Sequence, residues 1–171
     1  MTTSIQEDRD ISILVDEQYN LAIFSRYLNP SFDGNHGKTP VDFPAKTPIE
    51  LLFPYTVDQV ALAIKQGMDS YNMCEPYIAK DTIEERYYQI KGFKAATLGK
   101  KMIDVGWSRL VGKNVRVNLA TKRGKGYLCI AEKHFPDDAS WEDFAQTVIE
   151  FATMDLIKTR TFRSLKSYLN V

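Results

Sequence analysis

A chain of 171 residues that is 44% hydrophobic and 26% charged has the composition of one ordinary globular domain, which argues against disorder for its body. Its two cysteines, Cys74 and Cys129, are too few and too far apart for a small disulfide scaffold, and no apolar run approaches the roughly 20 residues of a membrane span. The formal net charge is zero and the pI is near 6.7, not the strongly basic balance of a dedicated nucleic-acid-binding domain.

The apolar runs ISILVD and LAIFSRY, separated by EQYN, predict a β-hairpin over residues 11–27, with Asn20 suited to a left-handed turn position. Residues 28–54 then carry Pro30, Pro40, Pro44, Pro48 and Pro54 together with Gly34 and Gly37. That spacing predicts a long irregular loop, interrupted at most by a short turn at 49–53. Long loops inside a compact domain are often functional or mobile. A helix follows over about 57–73, with Thr56 and Gln59 spaced as a capping box. Val57, Val60, Ala61, Ile64, Met68 and Tyr71 form one helical stripe, which reads as core packing. DTIEERYYQIKGF predicts a second helix, capped by Asp81 with Glu84 three positions on, and KAATLGKKM a short third.

The sheet resumes in the second half. MIDVGWSR (102–109), NVRVNLATK (114–122) and GYLCIAEKHF (126–135) predict an antiparallel meander. Period two places Val115, Val117 and Leu119 on one face and Arg116, Asn118 and Ala120 on the other. A last helix starts at Ser140 and buries Phe144, Val148, Phe151 and Ala152. The tail, 156–171, carries Lys158, Arg160, Arg163 and Lys166 among spaced apolar residues, as a basic extension or a continued helix. The expected fold is a single α+β domain over 1–171. Its core is a mainly antiparallel sheet, an N-terminal hairpin plus a C-terminal meander, decorated by three to four helices.

Charge divides unevenly along the chain. Residues 1–90 are net −7 and residues 91–171 net +7, and Lys91 to Tyr127 hold ten basic residues against Asp104 alone. Such a stretch can steer toward a polyanion or an acidic protein face, although a solvated face balanced by the acidic half is the plainer reading. With the interleaved Phe93, Trp107 and Tyr127, the 91–127 region carries the alternative reading of a nucleic-acid-binding module. Catalytic signals are sparse. A metal site needs several imidazole or thiolate ligands at close spacing, and only His36, His134, Cys74 and Cys129 are present. Cys129 and His134, five apart in a strand, fall on opposite faces, and Cys129 in YLCIA reads as a buried small hydrophobe. There is no Gly-x-Ser-x-Gly motif, and Glu84 and Glu85 read as a solvated helix face rather than an acid–base pair. A small enzyme built on His36 or His134 is the weaker remaining alternative. TKRGKGY joins strand to strand, so it fails as a phosphate cradle, which needs a helix N-terminus. Gly124 and Gly126 there make a hairpin corner where positive φ is cheap, and Thr121 and Arg123 are placed to tie it down.

Residues 86–152 resemble a known family. QIKGFKAATLGKKM, then DVGWSRL, then KNVRVNLATKRGKGYLCIAEK and the closing SWEDFAQTVIEFA are similar in order to the immunity proteins of bacterial contact-dependent growth inhibition systems, in the branch that neutralises nuclease toxins. The most distinctive piece is Thr121–Gly126. The resemblance implies a cytoplasmic, non-enzymatic inhibitor without a cofactor. Its partner would be the cognate toxin domain at the C-terminus of a large secreted exoprotein, bound one to one. It also implies that the toxin can add a β-hairpin to the immunity protein's sheet, with main-chain hydrogen bonds for affinity and side-chain pockets for specificity. No membrane or nucleic-acid partner is expected. The opening residues, with no basic segment ahead of an apolar one, agree with a cytoplasmic address. Candidate partner-facing residues are the acidic Asp69, Glu75, Asp81, Glu84 and Glu85, suited to a basic nuclease, or Lys122, Arg123, Lys125 and Tyr127 at the corner.

Overall fold

The computed structural model describes residues 9–25, 48–70, 83–98, 100–108, 112–120 and 127–155. Among the described residues, alternating apolar residues build six strands: β1 (Arg9–Val15), β2 (Leu21–Ser25), β3 (Ile49–Leu51), β4 (Lys101–Ser108), β5 (Gly112–Ala120) and β6 (Tyr127–Phe135). They form one antiparallel sheet in the order β3-β2-β1-β4-β5-β6. The predicted hairpin and meander are therefore joined side by side through β1 and β4, and the domain is α+β as expected. Among the described residues four helices accompany the sheet: α1 (Val57–Asp69), α2 (Ile83–Tyr88), α3 (Phe93–Thr97) and α4 (Trp141–Thr153).

The period of two divides the sheet into an apolar and a mixed face. On the apolar face Ile13 stands opposite Ile23 and Ile103, and Ile103 opposite Val117, all buried. Helix α1 covers the β1–β3 half and α4 the β4–β5 half, and the two helices pack on each other. Their stripes are those expected from spacing: Val60, Ala61, Ile64 and Met68 from α1, and Phe144, Val148, Phe151 and Ala152 from α4. Both N-termini are closed by reciprocal caps. Thr56 pairs with Gln59, and Ser140 pairs with Asp143 in the same way, satisfying amides the helix leaves open.

The other end of α4 is closed by a strand residue. Lys101, at the start of β4 on the apolar face and 9% exposed, donates from Nζ to the carbonyls of Phe151 at 3.2 Å, of Met154 at 3.0 Å, and of Ala152. Those carbonyls have no partner within the helix, and a cation there opposes the helix dipole. Burial pulls the ammonium's pKa down to about 8 while Asp155 pulls it upward.

Two local expectations change. The segment predicted irregular over 28–54 contains β3, whose Ile49–Leu51 pair with Ile23–Leu21. Pro48 and Pro54 bracket the strand instead of interrupting it, and an edge strand tolerates nearby proline. In the hairpin turn the positive-φ residue is Tyr19, at 65°, not Asn20. Asn20 serves through its side chain: its Nδ2 donates to Asp16 Oδ2 at 3.0 Å, while Asp16 Oδ1 accepts from the amides of Gln18 and Asn20, each at 2.9 Å. The predicted loop over 28–47 and the tail over 156–171 lie outside the described residues, as does Tyr71.

Candidate interaction surfaces

The register places side chains of the mixed face in rows across the strands. One row runs Ala22, Leu14, Met102, Asn118, Cys129, and the next runs Phe24, Ser12, Asp104, Arg116, Glu132. A third holds Asp10, Gly106, Asn114 and His134. Tyr87 and Tyr88 of α2 cover the apolar corner made by Leu14, Ala22, Phe24 and Met102. Beyond that cover the face is a polar network. Asp104 accepts from Ser12 Oγ at 2.8 Å and from Asn118 Nδ2 at 2.6 Å. Glu132 Oε1 accepts from Arg116 Nη2 at 3.0 Å and Asn114 Nδ2 at 2.9 Å, with His134 Nε2 at 3.6 Å. The Arg116 guanidinium holds the Glu132 carboxyl below the usual carboxylate range. The pair is solvent-exposed, so it contributes at most about 1 kcal/mol.

A β-bulge overturns the expectation for Cys129 and His134. Asn118 pairs with Cys129 while Val117 pairs with Ala131, so Ile130 is the extra residue and the alternation shifts by one. Cys129 and His134 therefore share the polar face. Their partners Asn118 and Asn114 are four residues apart along β5, a span of roughly 13 Å, too far for a thiol–imidazole pair. Cys129 is also exposed rather than buried, because the edge strand has no described neighbour beyond it. Partial desolvation still raises its pKa, with Arg116 opposing.

The acidic candidates do not form one solvated patch. Glu84 is fully buried, which corrects its assignment to an exposed partner face. It lies three and four positions before Tyr87 and Tyr88, so it shares the α2 face that packs on the sheet. Glu85 is half-buried and accepts from the Gly92 amide at 2.5 Å, bridging to the start of α3. Asp69 is exposed at the end of α1 and pairs with Lys65 at 2.5 Å. Glu75, Asp81 and the whole corner Thr121, Lys122, Arg123, Gly124, Lys125 and Gly126 lie outside the described residues, as do His36 and Cys74; Tyr127 opens β6.

Among the described residues of the basic region, four cations are engaged at separate places. Lys100 donates to the Ala96 carbonyl at 2.8 Å and sits 4.0 Å from the Tyr88 ring centroid, Lys101 is turned to the α4 end, Lys113 donates to the Asp137 carbonyl, and Arg116 joins the polar face. Among the described residues no group of three or more His, Cys, Asp or Glu could hold a metal ion, and no helix is long and apolar enough to cross a membrane.

The architecture has a known counterpart. The chain is similar to a protein of unknown function, NMB0488 from Neisseria meningitidis, with a TM-score of 0.55 at 10% identity, over 90% of this chain and 98% of that one. At that identity the likeness shows the fold alone. No protein-family model matches the chain, and no curated protein matches it.

Two surfaces stand out. The first is the outer edge of β6, nine residues long and last in the strand order, with no neighbour among the described residues. It carries Glu132, Lys133 and His134, all exposed. The second lies at the opposite end of the sheet, where the β1–β2 turn meets the segment after β3. Tyr19, Phe53 and Tyr55 stack edge to face, with centroids 5.6 Å apart in both pairs. Beside them Leu52 is 75% exposed and Phe53 47%. Sequence reasoning passed over this cluster; its signal was LLFPY, an apolar run inside a proline-rich stretch.

Proposed function

We propose that this chain is a cytoplasmic immunity protein that binds and neutralises the toxin domain of a contact-dependent growth inhibition system, a nuclease, without catalysing a reaction. The observation that carries the reading is the outer edge of β6, which has no neighbouring strand among the described residues. It directly follows the Thr121–Gly126 segment on which the family resemblance rests, and a nine-residue edge offers its main-chain amides and carbonyls to an incoming strand. Mixed charges and the Ile130 bulge disfavour pairing with arbitrary strands, so that only a partner of matching register and charge gains the main-chain hydrogen bonds.

The test is co-purification of this chain with a tagged toxin domain encoded immediately upstream, together with rescue of growth. A tight one-to-one complex with rescue is the expected result. Absence of both complex and rescue would overturn the proposal.

A further inference from the structure

The aromatic cluster at the β3 end of the sheet is held more rigidly than an incidental exposed patch requires. The Tyr19 amide donates to the Asp16 carbonyl at 3.1 Å, the Phe53 amide donates to Asn20 Oδ1 at 2.9 Å, and the Tyr55 hydroxyl donates to the Tyr19 carbonyl at 3.1 Å. Turn and post-β3 segment are thereby locked together from both sides. Within this frame a bulky residue, Tyr19, takes φ of 65°, a conformation that L side chains with a large ring adopt only where the surroundings impose it. The strain turns an aromatic ring outward at a tight turn, where asparagine or glycine would sit without penalty. Burial does not repay it, because Tyr19, Phe53 and Leu52 are all exposed. Single exposed apolar side chains are ordinary, but a contiguous, pre-ordered aromatic platform has the character of a binding hot spot: large area presented with little side-chain entropy left to lose.

The rim identifies the partner's chemistry. Glu17 is exposed in the turn, and Asp58 is exposed in the first turn of α1, three residues past Tyr55; Asp16 is taken up by Asn20 and the turn amides, and Glu50 by the Tyr87 hydroxyl. The cation beside Tyr19, Lys101, lies 5.6 Å from its ring centroid and is committed to the α4 carbonyls. Aromatic faces within an acidic rim fit a segment that carries arginine or lysine next to an aliphatic side chain, the cation resting on a ring and the apolar group on Leu52.

We infer that the Tyr19–Leu52–Phe53–Tyr55 platform is a docking site for a basic, apolar segment of the toxin domain, a second contact at the end of the sheet away from β6. The inference rests on the immunity reading and names a surface which that reading leaves open.

The full chain is bound to the upstream-encoded toxin domain, and affinities of wild type, the Leu52→Ser/Phe53→Ser double variant and Glu17→Lys are compared by surface plasmon resonance. The double variant is expected to weaken the complex by about 10-fold or more, mainly through faster dissociation. Glu17→Lys, in an exposed turn where it leaves folding intact, is expected to slow association at low salt and to lose that effect at high salt. A wild-type complex that both variants match within about two-fold would overturn the docking site and leave the immunity reading standing. Absence of a wild-type complex would overturn both. Self-association of the free chain that Leu52→Ser abolishes would also overturn the inference, by assigning the platform to a second copy.

Discussion

Lys101→Met removes the ammonium that closes α4 while keeping most of the apolar stem. The carbonyls of Phe151, Ala152 and Met154 then lose their shared donor. A buried acceptor left without a partner costs about 1–3 kcal/mol, and water can reach only the outermost carbonyl at a helix end, so a net loss of about 2–3 kcal/mol follows. For a chain of this size each 1 kcal/mol moves Tm by about 2–4 °C, so thermal denaturation followed by circular dichroism at pH 7 should fall by roughly 4–12 °C. The pH dependence adds a second readout. The folded ammonium titrates near 8, below its ordinary 10.5. Between those values the unfolded chain holds a proton the folded chain has released, so this group adds stability as pH rises through the window. The methionine variant lacks that gain, and the gap to wild type should widen from pH 8 toward pH 10. An unchanged Tm at pH 7 with no widening gap would refute the assignment of Lys101 as the closure of α4.

Gly67→Ala in α1 sets helix propensity against packing. The added Cβ would stand 3.3 Å from Cγ2 of both Ile11 and Ile23, so overpacking should outweigh the gain of up to about 1 kcal/mol in propensity, lowering the urea midpoint; a raised midpoint would contradict the packing described. In a Cys74→Ser background, Cys129 should react with an aromatic disulfide reagent in the native protein, at a rate that climbs with pH because its thiol is raised; a thiol silent until denaturant is added would restore the buried assignment. Burial, with Asp16 adding to it, pushes Tyr55 and Tyr88 up to about 12, and burial with the Glu50 hydrogen bond raises Tyr87 as well. The folded chain keeps these phenolic protons where the unfolded chain loses them near pH 10, so their stabilising contribution is present below pH 10 and lost as pH climbs toward 12. Near-ultraviolet tyrosinate titration should show these groups ionising only with unfolding, and ordinary titration of all nine tyrosines would count against the packing of α2 on the sheet.

Elements with strong local signals were legible in the amino-acid order alone. The ISILVD and LAIFSRY runs, the Val115-Val117-Leu119 alternation and the capping boxes at Thr56 and Ser140 specify hairpin, meander and helix starts, because each depends on residues within one or two turns of one another. Pairing is different. That β1 joins β4, that Ile49–Leu51 finds β2 as a strand between two prolines, and that Lys101 reaches α4 some 50 residues away are consequences of long-range contact. Period-two reasoning failed at Cys129 and His134 for the same reason: a bulge is a misfit between two strands, so one strand read by itself does not show it. Glu84 was legible as a charge but not as a buried one, since only the packing of Tyr87 and Tyr88 on Phe24 and Leu14 decides which side of α2 faces inward. The Tyr19–Phe53–Tyr55 platform is assembled from two segments more than 30 residues apart, closed by the 36-residue separation of the Tyr55–Tyr19 hydrogen bond. Local chemistry therefore determined which elements this chain forms, and tertiary contact decided which of their side chains are left facing a partner.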